Sequence, residues 1–245
     1  MKKIILLLAL VLLGINFDSG YNIDTRSVAQ KIVDSVIIVN GSSGIVVYSD
    51  DQSALVLTAY HVIDDTPKDK IQVYSSSSMS IILDLEIYTV TSVHYNKKFD
   101  LALIGIETKH KIHSVDVSKY DIDLGEDVFI AGNPKSAIKT LSKGIVSVPI
   151  RIMNGSVFTQ VDAGVIFGSS GGGAFNEDGK LVGVVESVRM YKTDYCLEAY
   201  DEKDVFIGEE CLVLPIPYLG NVTHRVIVLK FLLSSPFSER FNYLK

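Results

Sequence analysis

Val161 to Val185 reads VDAGVIFGSSGGGAFNEDGKLVGVV. The apolar runs at either side, Val157–Val161 and Leu181–Val188, have the Val- and Leu-rich composition of strands. Between them, glycines at 168, 171, 172 and 173 bracket Ser169 and Ser170. Glycine permits the tight turn and close backbone approach that such a loop needs. A serine hydroxyl and the main-chain N–H groups of Gly168 and Ser170 can then point at one spot, as stabilisation of an oxyanion requires. No Lys-Ser or Lys-Thr pair follows the glycines, so a phosphate-cradling loop is a poor reading.

Two earlier segments supply what a nucleophilic serine needs. Leu55 to Asp64, LVLTAYHVID, is an apolar strand that delivers His61 at its exit. Lys98 to Ile106, KFDLALIGI, places Asp100 at the entrance of another apolar strand. Histidine titrates near neutrality and can take a hydroxyl proton. A carboxylate against the imidazole fixes its tautomer. Alone, each segment is weak: a histidine after a strand is usually structural, and an aspartate before one is usually a cap. Asp116, Asp121 and Asp123, in a polar stretch, read as ordinary solvated carboxylates. Together, in the order His61, Asp100, Ser170 and each at a strand end, the three make a catalytic triad. The chemistry calls for no cofactor. His110 and His113 lack a third ligand, so no metal is expected.

The rest of the chain reads as short apolar runs broken by Gly, Ser, Asp and Asn. The first half offers Val36–Asn40, Gly44–Tyr48, Ala54–Thr58, Ile71–Tyr74, Ile81–Tyr95 with a break, and Leu101–Ile106. The second offers Val128–Ala131, Gly144–Ile152, Val157–Val161, Gly173–Phe175, Leu181–Val188 and Leu212–Ile216. About six strands in each half fit an all-β fold of two six-stranded antiparallel β-barrels. Thr108 to Gly125, polar and aperiodic, is the crossover between a first barrel at about 28–107 and a second at about 126–218. Val28, Ile32 and Val33 predict a short helix over Ser27–Ser35. Asn221 caps a predicted C-terminal helix at about 221–233. The residues after Tyr218 are too few for a second folded domain.

The chain has 245 residues, 47% of them hydrophobic, and a formal net charge of -6. That balance argues against nucleic acid as a partner, which wants a basic face. Met1-Lys2-Lys3 precedes an apolar run, Ile4–Leu13, too short for a membrane span and suited to export. Residues 1–20 are therefore read as a signal peptide or an uncleaved anchor, the one route to membrane contact, and 21–245 as a single domain that is secreted, periplasmic or held in the cell envelope. Cys196 and Cys211 are the two cysteines. In an exported chain they form a disulfide or remain as two thiols; no metal-binding or redox CxxC pair exists.

From about Val28 to Tyr218 the sequence resembles trypsin-like serine proteases of the HtrA/DegP branch, which have the chymotrypsin-like double-barrel fold. LTAYHVI resembles that family's histidine motif, FDLALI its aspartate motif, and VDAGVIFGSSGGGAF its nucleophile loop. AGNP at 131–134 and KTLSKGIVS at 139–147 resemble a hairpin of its second barrel. The resemblance implies a serine endopeptidase acting on polypeptides through an acyl-enzyme, with His61 the base, Asp100 its orienter, Ser170 the nucleophile, and Gly168 and Ser170 the oxyanion donors. It implies a substrate pocket lined by Gly164, Val165, Ile166, Glu186, Ser187 and Val188. Gly164 stands where trypsin has an acidic floor, so apolar residues are expected before the cleaved bond rather than Arg or Lys. The Glu186 carboxylate is expected in water. Ser169 replaces the usual Asn or Asp, Gly173 replaces a common Pro and is expected to loosen its strand, and no PDZ domain follows. An oligomer is compatible with the resemblance. The competing class is a catalytically inactive binding protein on the same fold, which typically loses a triad residue; all three stand here.

Overall fold

The computed structural model describes residues 27–76, 85–134, 139–153, 155–200, 202 and 206–245. The leader expected at 1–20 lies outside them. A helix, α1 (Val28–Asp34), opens the described chain; the Ser27 side chain caps it by accepting the Gln30 N–H at 3.2 Å. Ile32 and Val33 are buried, as their spacing predicts, whereas Val28, the third residue of that pattern, is 40% exposed at the start of the helix.

Seven strands follow: β1 (Val36–Val39), β2 (Ser42–Ser49), β3 (Ser53–Ala59), β4 (Val73–Ser76), β5 (Leu85–Tyr88), β6 (Val90–Asn96) and β7 (Leu101–Glu107). They form one sheet in the order β5-β4-β1-β2-β3-β7-β6. This departs from the six-stranded closed barrel expected for residues 28–107. The long run ending at Tyr95 breaks at Thr89, leaving β5 on β4 and β6 on β7. The sheet's two edge strands are thus consecutive in the chain. They meet at a covalent corner rather than in a hydrogen-bonded ladder, and a half-barrel results. Ile37, Val39, Val46, Val56 and Ile104 fill it.

The second unit is a closed barrel of β8 (Asp127–Gly132), β9 (Thr140–Met153), β10 (Ser156–Val161), β11 (Gly173–Phe175), β12 (Leu181–Tyr200) and β13 (Phe206–His224), in the order β10-β13-β12-β11-β8-β9. Every named pairing in both sheets is antiparallel. Val128, Ile130, Val146, Val161, Val182 and Val222 fill this barrel. A third cluster joins the two units through Leu57, Leu103, Phe175, Leu181 and Phe231. The all-β, chymotrypsin-like class expected from sequence is the class observed.

Two boundaries differ from the sequence reading. Asn221 does not cap the last helix. It pairs with Gln160 and Ser187 inside the barrel, because β13 must run on to His224 to close on β10. The helix, α2, covers Arg225–Ser234, and His224 caps it with Nδ1. In addition, β12 and β13 extend far beyond Val188 and Leu212 as a long two-stranded ribbon, with Cys196 opposite Cys211 and joined to it by a disulfide.

Candidate active site

Neighbouring strands of the half-barrel bring His61 and Asp100 together. Ala59 at the end of β3 pairs with Leu101 at the start of β7. His61 follows β3 in a short 3₁₀ turn, Tyr60–Val62, and Asp100 follows another, Lys97–Phe99. The Asn96 side chain holds the second turn by accepting the Phe99 N–H at 3.1 Å. Asp100 then adopts φ 50, ψ 43. That left-handed conformation is uncommon outside glycine, although Asp tolerates it better than most residues. It turns the carboxylate towards His61. Oδ1 accepts the His61 main-chain N–H at 2.8 Å, and Oδ2 lies 2.6 Å from Nδ1.

Ser170 comes from the barrel, on the loop between β10 and β11. Its hydroxyl donates to the Glu186 main-chain carbonyl at 3.2 Å. Ser169 faces the other way: it is 3% exposed, and its Oγ accepts the Ile166 N–H at 3.3 Å. The two adjacent serines are therefore not equivalent, since only Ser170 lines the cleft.

The serine loop is tied across to the half-barrel by residues that the sequence reading did not single out. Ser43 Oγ donates to the Gly168 carbonyl at 2.7 Å, and Ser42 Oγ donates to the Ser170 carbonyl at 2.9 Å. The Ser43 N–H reaches the same Ser170 carbonyl at 3.1 Å. Ser43 Oγ also accepts the Asn133 N–H at 2.6 Å. The Ser169 N–H bonds to Ile166 O, so the peptide between 168 and 169 is held at both ends while Gly168 keeps φ 89. The local signal was Ser42-Ser43 in a Gly-Ser-Ser-Gly turn, which alone reads as a hairpin connection. Gly171, at φ 80, packs so tightly that a Cβ there would strike Thr58 Oγ1 and the Ser43 carbonyl. Gly173 does not loosen its strand: it pairs with Ala131 and Val184, and the Phe175 ring occupies the space a side chain would need.

Between the two units lies a cleft of about 430 Å³, lined by His61, Val165, Ile166, Phe167, Ser170, Glu186, Ser187, Val188 and Met190. Five of the six residues expected to line the substrate pocket are there. Gly164 is not; it is exposed, and its carbonyl accepts the Ser142 hydroxyl at 3.2 Å. Phe167 and Met190 are additions. Glu186 also differs from expectation. It is half-buried on the cleft wall rather than free in water. Burial, with the Asp100 charge second, pushes its carboxyl up to about 7. His61 is raised from its ordinary value, mainly by its hydrogen bond to Asp100 and less by the charges of Asp100 and Glu186, against an opposing effect of burial.

A half-barrel packed on a closed barrel, with histidine and aspartate on one and serine on the other, is the layout of the trypsin-like peptidases. The family model for the trypsin-like peptidase domain matches residues 42–184, and the chain belongs to that family. Within it the similarity runs to the HtrA/DegP branch. A probable periplasmic serine endoprotease DegP-like of Buchnera aphidicola is 25% identical over 190 residues, covering 76% of this chain and 36% of the relative. The serine protease Do-like HtrA of Bacillus subtilis is 28% identical, with 73% and 41% covered. Serine protease HTRA1 of Xenopus tropicalis is 32% identical over 150 residues, with 58% and 30% covered. The chain thus spans well under half the length of these curated relatives. The crystal structure of the serine endoprotease from Yersinia pestis matches the fold with a TM-score of 0.58 at 20% identity, covering 83% of this chain and 63% of that one.

Proposed function

We propose that this chain is a serine endopeptidase that cuts extended polypeptide through an acyl-enzyme. The observation that carries the reading is that His61 and Ser170 line one cleft, with Asp100 bonded behind it to Nδ1 of the histidine. With Nδ1–H donated to Asp100, Nε2 is the lone-pair nitrogen. Ser170 swings from the Glu186 carbonyl to Nε2, gives up its proton and attacks the scissile carbonyl. Hydrogen bonds of this kind often tighten only when substrate binds. The N–H groups of Gly168 and Ser170 stabilise the oxyanion. His61 then protonates the leaving amine, and water repeats the sequence on the acyl-enzyme.

Substrate adds as an antiparallel strand along Glu186–Val188, with its scissile residue at the Glu186 end, where Ser170 sits. Val165, Ile166 and Val188 make the pocket for the preceding side chain apolar. The names of the DegP-like relatives support action on proteins outside the cytoplasm, and export through residues 1–20 belongs to the same proposal. The test is digestion of an unfolded protein by the full chain, with mass-spectrometric mapping of the cuts. Cuts after small or medium apolar residues, lost in Ser170→Ala, are expected. Activity that survives Ser170→Ala contradicts the reading. Dominant cuts after Arg, Lys, Asp or Glu contradict the pocket.

A further inference from the structure

The stretch of β12 that lines the cleft does not end with it. From Leu181 to Val184 its outer edge pairs with β11, and Val185 exchanges hydrogen bonds with Gly171 and Gly172. Beyond that point the edge facing the cleft pairs with no other strand among the described residues, while the opposite edge stays on β13 out to Tyr200. Arg189–Tyr200 therefore continues the substrate-lining edge by roughly 40 Å, at about 3.4 Å per residue, with irregular pairing to β13 between Val188 and Met190, Lys192 and Cys196, and Ala199 and Tyr200.

This ribbon is also unusually apolar for a projecting hairpin. On β12, Met190 is 41% exposed, Tyr195 67% and Leu197 62%; on β13, Ile207, Leu212 and Leu214 are exposed as well. A long, exposed, apolar edge invites pairing with another chain, and proteins normally shorten, charge or cover such edges. Here the cysteine pair staples the ribbon instead, tying Cys196 to Cys211 just beyond a register shift that follows Lys192. Between Arg189 and Pro215 acidic residues outnumber basic ones in the sequence. The wall where the ribbon joins the cleft carries Glu186.

We infer that the cleft-facing edge of β12 beyond Val188 is an extended substrate-binding rail, which takes the polypeptide on the N-terminal side of the scissile bond and favours alternating apolar and basic residues. The inference rests on the peptidase reading for its direction. A substrate strand antiparallel to β12, with its scissile residue at Glu186, must send its N-terminal side outward along Arg189–Tyr200. Continuity with the cleft and the acidic balance of the ribbon select this occupant over a second copy of the same acidic chain.

A peptide ladder tests it. All members share one cleavage sequence and carry no, four or eight further residues of alternating Val and Lys at the N-terminus. Affinity is read by fluorescence anisotropy on full-chain Ser170→Ala, and kcat/KM on the unaltered chain. Both are expected to improve at least about 10-fold from the shortest to the longest peptide, and an Asp-for-Lys ladder is expected to gain less. N-methylation of the backbone at alternate positions of the extension should cost about 3- to 10-fold each, the worth of one hydrogen bond, and little at the positions between. This alternation needs no altered protein and so does not depend on a shortened ribbon folding. A flat ladder overturns the rail. So does a ribbon-mediated dimer, seen by sedimentation, whose dissociation is needed before peptides bind. If Ser170→Ala shows the ladder while the unaltered chain cleaves none of its members, the rail stands and the peptidase reading fails.

Discussion

Asp100 holds His61 at two points, accepting its main-chain N–H on one carboxylate oxygen and meeting Nδ1 with the other. The first contact fixes where the histidine backbone leaves β3; the second fixes the ring. Asp100→Asn keeps an oxygen for one contact and presents an amide to the other, which favours the wrong tautomer. It is expected to lower kcat by about 10⁴ with the fold intact by circular dichroism. Asp116→Asn and Asp123→Asn should leave kcat alone. Asp121, read from sequence as another solvated carboxylate, is no control, because its Oδ1 accepts from Arg225 Nε and lies 2.7 Å from Nη2 of that largely buried arginine. Equal losses in Asp100→Asn and Asp116→Asn would remove Asp100 from the triad.

Burial pushes the Glu186 carboxyl up to about 7, while the hydrogen bond to Asp100 and the negative charges of Asp100 and Glu186 raise His61 above its ordinary value. Activity requires neutral His61, so kcat/KM should rise with pH through an apparent pKa above the ordinary 6.5. As Glu186 ionises at about 7, its charge holds the proton on His61. Glu186→Gln is therefore expected to move the acid limb of the profile to lower pH. The same shift has a stability consequence of definite sign. Glu186 binds its proton more tightly folded than unfolded, so its contribution to stability falls as pH rises from about 4.5 to about 7. Thermal melts should show Glu186→Gln gaining on the unaltered protein across that window and matching it below. An acid limb that moves up, or a Tm difference that shrinks with pH, contradicts the coupling.

The proposed triad was legible because each member is carried by a local pattern: a strand exit, a strand entrance and a glycine-rich turn. The barrel strands were legible for the same reason, since apolar runs bounded by turn residues mark them one by one. What was not legible depends on contacts between distant segments. Ser42 and Ser43 look like hairpin residues until the barrel brings Gly168 and Ser170 against them. Asn221 looks like a helix cap until barrel closure claims it for β13. The ribbon beyond Val188 mixes charges with apolar residues on faces that meet no core, so no alternation marks it as strand. Glu186 looks solvated until the cleft closes over it.

Ser43 reaches no substrate in the proposed mechanism, but it pins the loop that carries the proposed oxyanion donors. Ser43→Ala removes the 2.7 Å bond to Gly168 O and the acceptor of the Asn133 N–H. It is expected to lower kcat by about 10- to 100-fold with KM little changed, short of the ~10²–10³ for outright loss of a donor. Ser43→Thr, which keeps the hydroxyl, should restore part of the loss. A change confined to KM, or to Tm alone, would make Ser43 structural.

The central claim is that Ser170, and not its neighbour Ser169, is the activated nucleophile. The direct measurement is labelling of the full chain with a serine-directed phosphonate, followed by mass spectrometry of the modified residue. The account predicts one adduct, on Ser170, retained in Ser169→Ala and abolished by His61→Ala. An adduct on Ser169, or labelling of Ser170 that is indifferent to His61, would contradict it.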